Sequence, residues 1–172
     1  MAPTPIILRP YGEDDFEILQ ATLGVAEMTA YLGGPESEEK LRSRHARYVA
    51  LPNTGHDAMY VILAGPQQQP AGTVGYWEHE YQGQPAWETG WAVLPGWQGQ
   101  GIATRATLAA AALAHAQQRH RYLFAYPTVE NLPSNAVCRK AGFELLGTSA
   151  YEYPKGNPIT SNVWRLDLQA LP

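Results

Sequence analysis

The chain has 172 residues, of which 16% are charged, and a formal net charge of −4, and its length is sufficient for one domain with a large buried core. The acidic excess and the lack of a basic run argue against a nucleic-acid partner, because phosphate binding needs clustered Lys and Arg side chains. The chain has a single cysteine, which excludes an internal disulfide. It also lacks membrane-spanning and signal-peptide patterns. We therefore predict a cytoplasmic protein without a membrane partner, with residues 1–172 in one domain.

The first third of the sequence predicts one strand followed by two helices. Residues 5–9 are a short apolar run typical of a strand. Acidic residues at 13–15 precede apolar residues at helical spacing up to Leu23, which predicts a first helix. Ser37 and the two glutamates after it resemble an N-cap and first turn, so we expect a second helix from there to about Leu51.

Three consecutive strands are predicted next, joined by turns rich in glycine and proline. Residues 58–64 and 71–81 flank the turn GPQQQP, and a third strand runs from Trp87 to Val93 after a second turn. Short connections between consecutive strands indicate antiparallel pairing. Gly90, inside the third strand, predicts a bulge or the close approach of a ligand.

A glycine-containing loop and an alanine-rich helix follow the third strand. Pro95 and Gly96 end the strand, and residues 98–104 (QGQGIAT) open a helix that continues to about Gln118. Unpaired N–H groups at the first turn and the positive end of the helix dipole predict a site for a phosphate or another anion. The loop lacks the third glycine of a dinucleotide-binding fingerprint and the lysine of a P-loop.

The last third predicts a strand, a short helix and a closing hairpin. Residues 121–126 are a buried type of strand, which we expect to pair in parallel with the strand before the long helix, because a helix connects the two. Pro133 suits the start of a short helix and Gly142 its C-terminal end. Residues 143–153 and 159–168 then predict two strands joined as a hairpin.

Two segments resemble motifs of one enzyme family. Gln98, Gly101 and Ala103 fill the positions of the pattern Gln/Arg-x-x-Gly-x-Gly/Ala, which is motif A of the GCN5-related N-acetyltransferases, the GNAT superfamily. Residues 131–143 resemble the family's Asn-x-x-Ser…Lys-x-Gly-Phe segment. The sequence around the first motif, together with the loop at 28–34, looks most like the ribosomal-protein N-terminal acetyltransferase-like branch.

The resemblance implies an α+β fold, the α/β/α sandwich of the GNAT family. Its sheet would be mixed and mostly antiparallel, with six to seven strands, and about four helices would cover it. A central pair of parallel strands would be splayed at the cofactor site. In this family the first two helices usually wall the side on which the acceptor substrate binds.

The resemblance also implies direct transfer of an acetyl group from acetyl-CoA to a primary amine of a small molecule or a protein N-terminus, with no metal. Main-chain groups of the loop would hold the diphosphate, the adjoining strand edge would hold the pantetheine, and the short helix would add two contacts. The residues carried over from the loop are Gln98, Gly99, Gln100, Gly101, Ile102, Ala103 and Thr104. Those from the strand edge are Trp91, Ala92 and Val93, and those from the short helix are Asn131 and Ser134. A serine at position 134 is equally well explained as an ordinary helix N-cap.

Acetyl transfer to an amine needs a proton acceptor, and four side chains are candidates. Glu88 is the first candidate for the catalytic base, because it lies on the strand that leads into the coenzyme loop, where several family members place a glutamate. Glu78, His79 and Glu80 on the preceding strand are rivals. Each of the four could also be an ordinary solvated strand residue.

Cys138 stands where many family members have the tyrosine that protonates the leaving thiolate. A coenzyme A thiol has a pKa of about 8.5 and leaves fairly well unaided, so the replacement affects the identity of the acid more than the activity. Cys138 itself is expected to be a small buried residue. Tyr126 or Tyr153 could take over the role of the acid.

Two other functions stay open from the sequence alone. One is a non-catalytic acyl-CoA-binding or regulatory module on the same scaffold, and the other is a nucleotide-binding domain that uses the glycine loop for a different phosphate ligand. The histidines lack the spacing of a metal site. The aromatic-rich composition is compatible with a homodimer. Four tryptophans either line the acceptor cleft or fill the core: Trp77, Trp87, Trp91 and Trp97.

Overall fold

The computed structural model of the chain describes residues 2–152 and 155–172. Within these ranges the strands are β1 (Ile6–Pro10), β2 (Ala58–Ala64), β3 (Gln69–Tyr81), β4 (Gln84–Val93), β5 (Tyr122–Ala125), β6 (Glu144–Glu152) and β7 (Pro158–Asp167). The α-helices are α1 (Phe16–Leu23), α2 (Glu38–Ala50), α3 (Ile102–Ala116) and α4 (Leu132–Lys140). None of these helices is both long and apolar enough to cross a bilayer, a statement limited to the described ranges.

The strands form one seven-stranded sheet in the order β1-β2-β3-β4-β5-β7-β6. Every neighbouring pair is antiparallel except β4 and β5, which are parallel. The parallel pair is where the sequence predicts it, because α3 carries the chain back across the sheet between the two strands. The predicted strand number, mixed sheet and four helices are therefore confirmed.

Helix α3 packs closely on one face of the sheet because of its alanines. Four of these alanines are fully buried, at positions that are either adjacent or about one helical turn apart: Ala106, Ala110, Ala111 and Ala114. Small side chains let the helix axis approach the strands, where Val74, Tyr76 and Trp87 fill the core beneath it. Helix α4 lies on the same face, and Cys138 on it belongs to the same core.

Helices α1 and α2 cover the other face of the sheet, over its β1 to β3 half. A smaller core forms there around Tyr11, Ile18, Met59 and Val61, and the ring of Trp77 packs against it. The remaining half of this face carries an aromatic cluster built around Phe124, with Tyr81 and Tyr126 packed beside it. The two faces of the sheet are therefore buried by different helix pairs.

The strands β4 and β5 separate soon after they meet. Only Trp87 with Leu123 and Glu88 with Phe124 pair across them. Beyond Glu88, β4 continues to Val93 and stays paired with β3 along its whole length. In the described part of the chain, the edge of β4 from residue 89 to residue 93 therefore faces a gap instead of a neighbouring strand.

Gly90 is not at a bulge, so the first of the two alternatives predicted for this glycine is wrong, and the close approach of a ligand stays a prediction. The β3–β4 register runs without a shift, with Gly90 opposite Gly75. The glycine makes room for a neighbouring side chain, since a Cβ atom at residue 90 would lie 3.0 Å from the ring of Trp77. The gap thus arises from the early divergence of β5, while β4 itself is regular against β3.

Candidate active site

The loop before α3 has the geometry of an anion site. Gly99 and Gly101 adopt left-handed backbone conformations, with φ of 74° and 71°. Gly101 is the N-cap of α3, and no side chain caps the helix. Among the hydrogen bonds of the described chain, none has a main-chain N–H of residues 99–104 as its donor. These groups and the helix dipole all favour a negatively charged ligand at this point.

The two glutamines of the loop are used inside the protein. The Nε2 group of Gln98 donates to the carbonyl of Val93 at 2.8 Å, which ties the loop to the end of β4. The Oε1 atom of Gln100 accepts a hydrogen bond from the Thr4 hydroxyl at 2.8 Å. These contacts fix the shape of the loop and leave its main-chain N–H groups as the atoms free to meet a ligand.

Trp91, Ala92 and Val93 form the open edge of β4 that adjoins this loop. Their positions lie beyond the last residue that pairs with β5. A strand edge without a neighbour presents main-chain N–H and C=O groups that lack partners. An extended polar chain could form hydrogen bonds with these groups as a neighbouring strand would. The gap and the loop are continuous, because the Gln98 side chain is bonded to Val93.

At the start of α4, Asn131 and Ser134 have different roles from each other. Asn131 is the N-cap, and its side-chain oxygen accepts a hydrogen bond from the Ser134 N–H at 3.1 Å. Ser134 is therefore inside the helix, and its alternative interpretation as the N-cap is wrong. The cap role of Asn131 does not by itself test whether either residue contacts a coenzyme.

Glu88 lies on β4 at the point where β5 departs. Its carboxyl group is largely buried, and that burial raises the pKa of Glu88 to about 7, while the neighbouring Trp77 side chain acts in the opposite direction. Trp77 pairs with Glu88 across the β3–β4 hairpin, so the two side chains share one face of the sheet. A carboxyl group that titrates near neutral pH can take up and release a proton under physiological conditions.

His79 and Tyr126 extend from Glu88 as a chain of close polar contacts, of which the one between His79 and Tyr126 is a hydrogen bond. The Nδ1 atom of His79 is 3.3 Å from the Glu88 Oε2 atom, and its Nε2 atom is 2.6 Å from the Tyr126 hydroxyl oxygen. Burial lowers the pKa of His79, which favours the neutral imidazole. Burial also raises the pKa of Tyr126, so its hydroxyl keeps its proton.

From the sequence, His79 and Glu88 are alternatives for the role of the catalytic base. In the structure their side chains are neighbours. His79 pairs with Ala86, two residues before Glu88 on the same face of β4. Such diagonal pairs across an antiparallel hairpin lie within reach of long side chains. The signal that could have found this contact was the hairpin register.

The other two rivals lie away from Glu88. Glu78 pairs with Trp87 and so faces the α3 side of the sheet. Burial alone would raise the pKa of Glu78, but hydrogen bonds from His120 and Arg119 outweigh it and lower the pKa. Glu80 pairs with Pro85 and is exposed on that same side.

Cys138 is fully buried, with 0% of its surface exposed. Burial raises the pKa of its thiol to about 12, so it stays protonated within the core. The expected small buried residue is confirmed. Of the two tyrosines that could replace it as the acid, Tyr126 lies beside Glu88 and His79, and Tyr153 lies outside the described residues.

The four tryptophans divide between the two faces. Trp87 is fully buried in the core under α3, and Trp91 and Trp97 pack against the same core from partly buried positions. Trp77 alone among them shares the face of Glu88. Over residues 2–152 and 155–172, no group of three or more His, Cys, Asp or Glu side chains is arranged to hold a metal ion.

A family profile described as "Acetyltransferase (GNAT) domain" matches residues 6–144 of the chain. The match runs from the first residue of β1 to the first residue of β6. It therefore includes the coenzyme-type loop, the gap between β4 and β5, and the Glu88–His79–Tyr126 chain. No curated protein sequence matches the chain significantly.

The fold is similar to several solved acetyltransferase structures. The enzyme from Salmonella typhimurium that modifies the N-terminal serine of a 50S ribosomal subunit protein shares 26% identity over 94% of each chain, with a TM-score of 0.77. RimL, a ribosomal alpha-N-protein acetyltransferase in complex with coenzyme A, shares 26% identity over 96% of each chain, also with a TM-score of 0.77. Spermidine N-acetyltransferase from Vibrio cholerae, in complex with CoA and spermine, shares 17% identity over 95% of this chain and 96% of its own, with a TM-score of 0.77.

Proposed function

This chain belongs to the GNAT acetyltransferase family, and from that premise we propose that it transfers an acetyl group directly from acetyl-CoA to a primary amine of a small molecule or a protein N-terminus. The observation that carries the proposal is the gap between β4 and β5, which opens at Glu88 and runs to the unpaired N–H groups before α3. One end of this path suits a diphosphate and the other end holds a carboxyl group suited to proton transfer.

The coenzyme contacts follow from the geometry of the gap. The main-chain N–H groups from Gly99 to Thr104 would hold the diphosphate at the positive end of α3. The open β4 edge at residues 91–93 would bond the amides of the pantetheine arm as a strand would. A main-chain N–H on that edge could also stabilise the oxyanion that forms on the thioester carbonyl, which is commonly a large electrostatic contribution to catalysis. Asn131 and Ser134 stay predicted coenzyme contacts.

Glu88 acts as the base in this proposal. The amine must be neutral to attack, which costs about 4.6 kcal/mol at pH 7 for a lysine-like amine and about 1 kcal/mol for an N-terminal α-amine. As the C–N bond forms, Glu88 removes a proton from the nitrogen, directly or through one water molecule, and the C–S bond then breaks. A base with a pKa of about 7 is well matched to an α-amine, whose pKa is near 8.

The acceptor we favour is the N-terminal α-amine of a protein or peptide. The match of pKa values supports it, and so does the similarity to the Salmonella enzyme, which modifies an N-terminal serine. We accordingly place the chain in the ribosomal-protein N-terminal acetyltransferase-like branch as part of the same proposal. A cytoplasmic location, one domain over residues 1–172 and a possible homodimer stay predictions from the sequence.

An acetyl-CoA assay against several amine classes tests the function. Release of free thiol should be faster with N-terminal peptides than with polyamines, because a peptide α-amine loses its proton more readily near neutral pH than an alkylamine does. Aminoglycosides and free amino acids complete the panel. Isothermal titration with CoA accompanies the assay. Binding without turnover of any amine would favour the non-catalytic acyl-CoA-binding module instead, and a lack of binding would refute both.

A further inference from the structure

We propose that Tyr126 is the general acid of the transfer reaction and that His79 connects it to Glu88, so that the proton taken from the amine is returned to the departing thiolate. This inference rests on the proposed acetyltransferase function. It assigns a role to a chain of polar contacts in which Glu88 is on β4, His79 is on β3 and Tyr126 directly follows β5.

The residue that would otherwise supply the acid has no access to the gap. In this chain Cys138 occupies that place, and its thiol is sealed in the core under α4 with 0% exposure. A group without access to the gap cannot donate a proton to a sulfur atom that lies there. The Tyr126 hydroxyl is hydrogen-bonded to His79, and His79 in turn contacts Glu88 at the point where the gap begins.

The direction of β5 places Tyr126 beside the gap. Glu88 is opposite Phe124 in the last parallel pair, so two further residues on each strand would set Tyr126 opposite Gly90, across the gap. The rings of Phe124 and Tyr126 are stacked, with centroids 6.2 Å apart and an interplanar angle of 10°. The Tyr126 ring therefore lies on the face of Glu88, at the gap that would receive the thioester.

His79 contacts both Tyr126 and Glu88. A distance of 2.6 Å joins the Tyr126 oxygen to His79 Nε2, and 3.3 Å joins His79 Nδ1 to Glu88 Oε2. The imidazole thus contacts the two groups through its two different nitrogens. The contact with Tyr126 is a hydrogen bond, and the contact with Glu88 has to shorten slightly for a proton to pass. The His79 ring is also held edge-on to the Tyr126 ring, with centroids 5.2 Å apart.

The proton balance of the proposed step closes. The amine enters neutral, having released any extra proton to water, and His79 starts with its proton on Nε2. As nitrogen attacks the thioester, Glu88 takes one N–H proton and passes it to His79 Nδ1, while Nε2–H passes to the Tyr126 oxygen and the Tyr126 O–H passes to sulfur. The products are the amide and the free thiol of CoA. Glu88 is again a carboxylate, Tyr126 is again a phenol, and His79 returns to its starting tautomer by exchange with solvent.

The test compares Tyr126→Phe with Tyr122→Phe in the full-length protein, using acetyl-CoA and the best amine of the panel. Tyr122 is the first residue of β5 and is expected to lie on the same face of the sheet as Tyr126, at the opposite end of β5 from the gap. Tyr126→Phe should lower kcat by about 10²-fold, the lower end of the range for loss of a general acid, and leave the KM for acetyl-CoA unchanged. Tyr122→Phe should retain wild-type kcat.

A double-mutant cycle and solvent isotope effects separate a proton relay from a merely structural role. His79→Gln should lower kcat as much as Tyr126→Phe, and the double variant should lose no more than either one, because the groups act as one unit. In H2O–D2O mixtures the wild-type rate should follow a curved dependence, from several protons in flight, that becomes linear in either variant. If Tyr126→Phe fails to fold, His79→Gln carries the same isotope measurement.

Several results would overturn the relay. They are a Tyr126→Phe variant with kcat within about twofold of wild type, losses in the double variant that multiply, or a wild-type isotope dependence that is already linear. Turnover by the wild-type protein distinguishes failure of the relay from failure of the proposed function. In the first case the wild-type protein turns over an amine and the variants match it, whereas in the second the wild-type protein turns over no amine at all.

Discussion

Glu88→Gln is expected to lower kcat for acetyl transfer by about 10²- to 10⁴-fold, the range for loss of a general base. Glutamine preserves the volume of the side chain but cannot accept the amine proton. The wild-type rate should rise with pH through about 7, because Glu88 must be ionised to act and burial raises its pKa to about 7. The variant should lose this acidic limb of the profile, which initial rates of thiol release across the pH range would measure.

The same variant should change how stability depends on pH. Because burial raises the pKa of Glu88 above its ordinary value, the folded state binds this proton more tightly than the unfolded state does. Stability is therefore expected to fall as pH rises from about 4.5 to about 7, by up to about 3 kcal/mol in the free energy of unfolding. Urea denaturation at about pH 5 and about pH 8 should show this loss in the wild type and not in Glu88→Gln.

Glu80→Gln is the matched control for Glu88→Gln. Glu80 is on the same hairpin, but it is exposed and on the other side of the sheet. Its replacement should leave both kcat and the pH profile at wild-type values. Retention of kcat within about twofold in Glu88→Gln, or an acidic limb that persists in it, would exclude Glu88 as the base.

Gly101→Val should weaken coenzyme A binding by about 10²-fold or more, because one or two charge-assisted hydrogen bonds worth about 1.5–3 kcal/mol each would be lost. Residue 101 has a φ of 71°, a conformation that a β-branched side chain resists strongly. A Cβ atom at residue 101 would meet no protein atom within 4 Å. Residue 101 is itself one of the N–H donors proposed to hold the diphosphate, so we expect a side chain added there to obstruct the ligand. Isothermal titration with CoA measures the change.

Gly83→Val is the control that shows whether backbone strain alone accounts for weaker CoA binding in Gly101→Val. Gly83 has a similar φ of 77°, and a Cβ atom there would also meet no protein atom within 4 Å. It lies in the β3–β4 turn, away from the loop before α3. This variant should lose stability, as Gly101→Val does, but bind CoA with wild-type affinity. Equal CoA affinity in Gly101→Val and the wild type would contradict the proposed diphosphate site.

Structural features that depend on local sequence signals could be predicted from the sequence. The apolar run at residues 58–64 became β2 without a shift of either end, and the alanine-rich stretch became the helix that forces β4 and β5 to be parallel. The predicted end of that helix at Gln118 is two residues too late, because Gln118 has a φ of 54° and leaves the helical conformation. Its N-terminal loop was located correctly because glycine and proline are strong local signals.

Features that depend on the packing of distant residues were harder to predict. The close approach of the Trp77 ring to Gly90 looks, in sequence, the same as a bulge. The contact between His79 and Glu88 depends on the hairpin register, and the contact between His79 and Tyr126 joins residues 47 positions apart. The raised pKa of Glu88 likewise comes from burial by several strands, which no single stretch of sequence encodes.

The central claim is that the gap between β4 and β5 holds the coenzyme, and a crystal structure of the protein with CoA tests it most directly. We expect the diphosphate on the N–H groups of residues 99–104 and the pantetheine bonded along β4 at residues 91–93. The sulfur atom should then lie within reach of the Tyr126 hydroxyl. A structure in which CoA lies elsewhere, or in which β4 and β5 remain closed on an empty gap at saturating CoA, would contradict the claim.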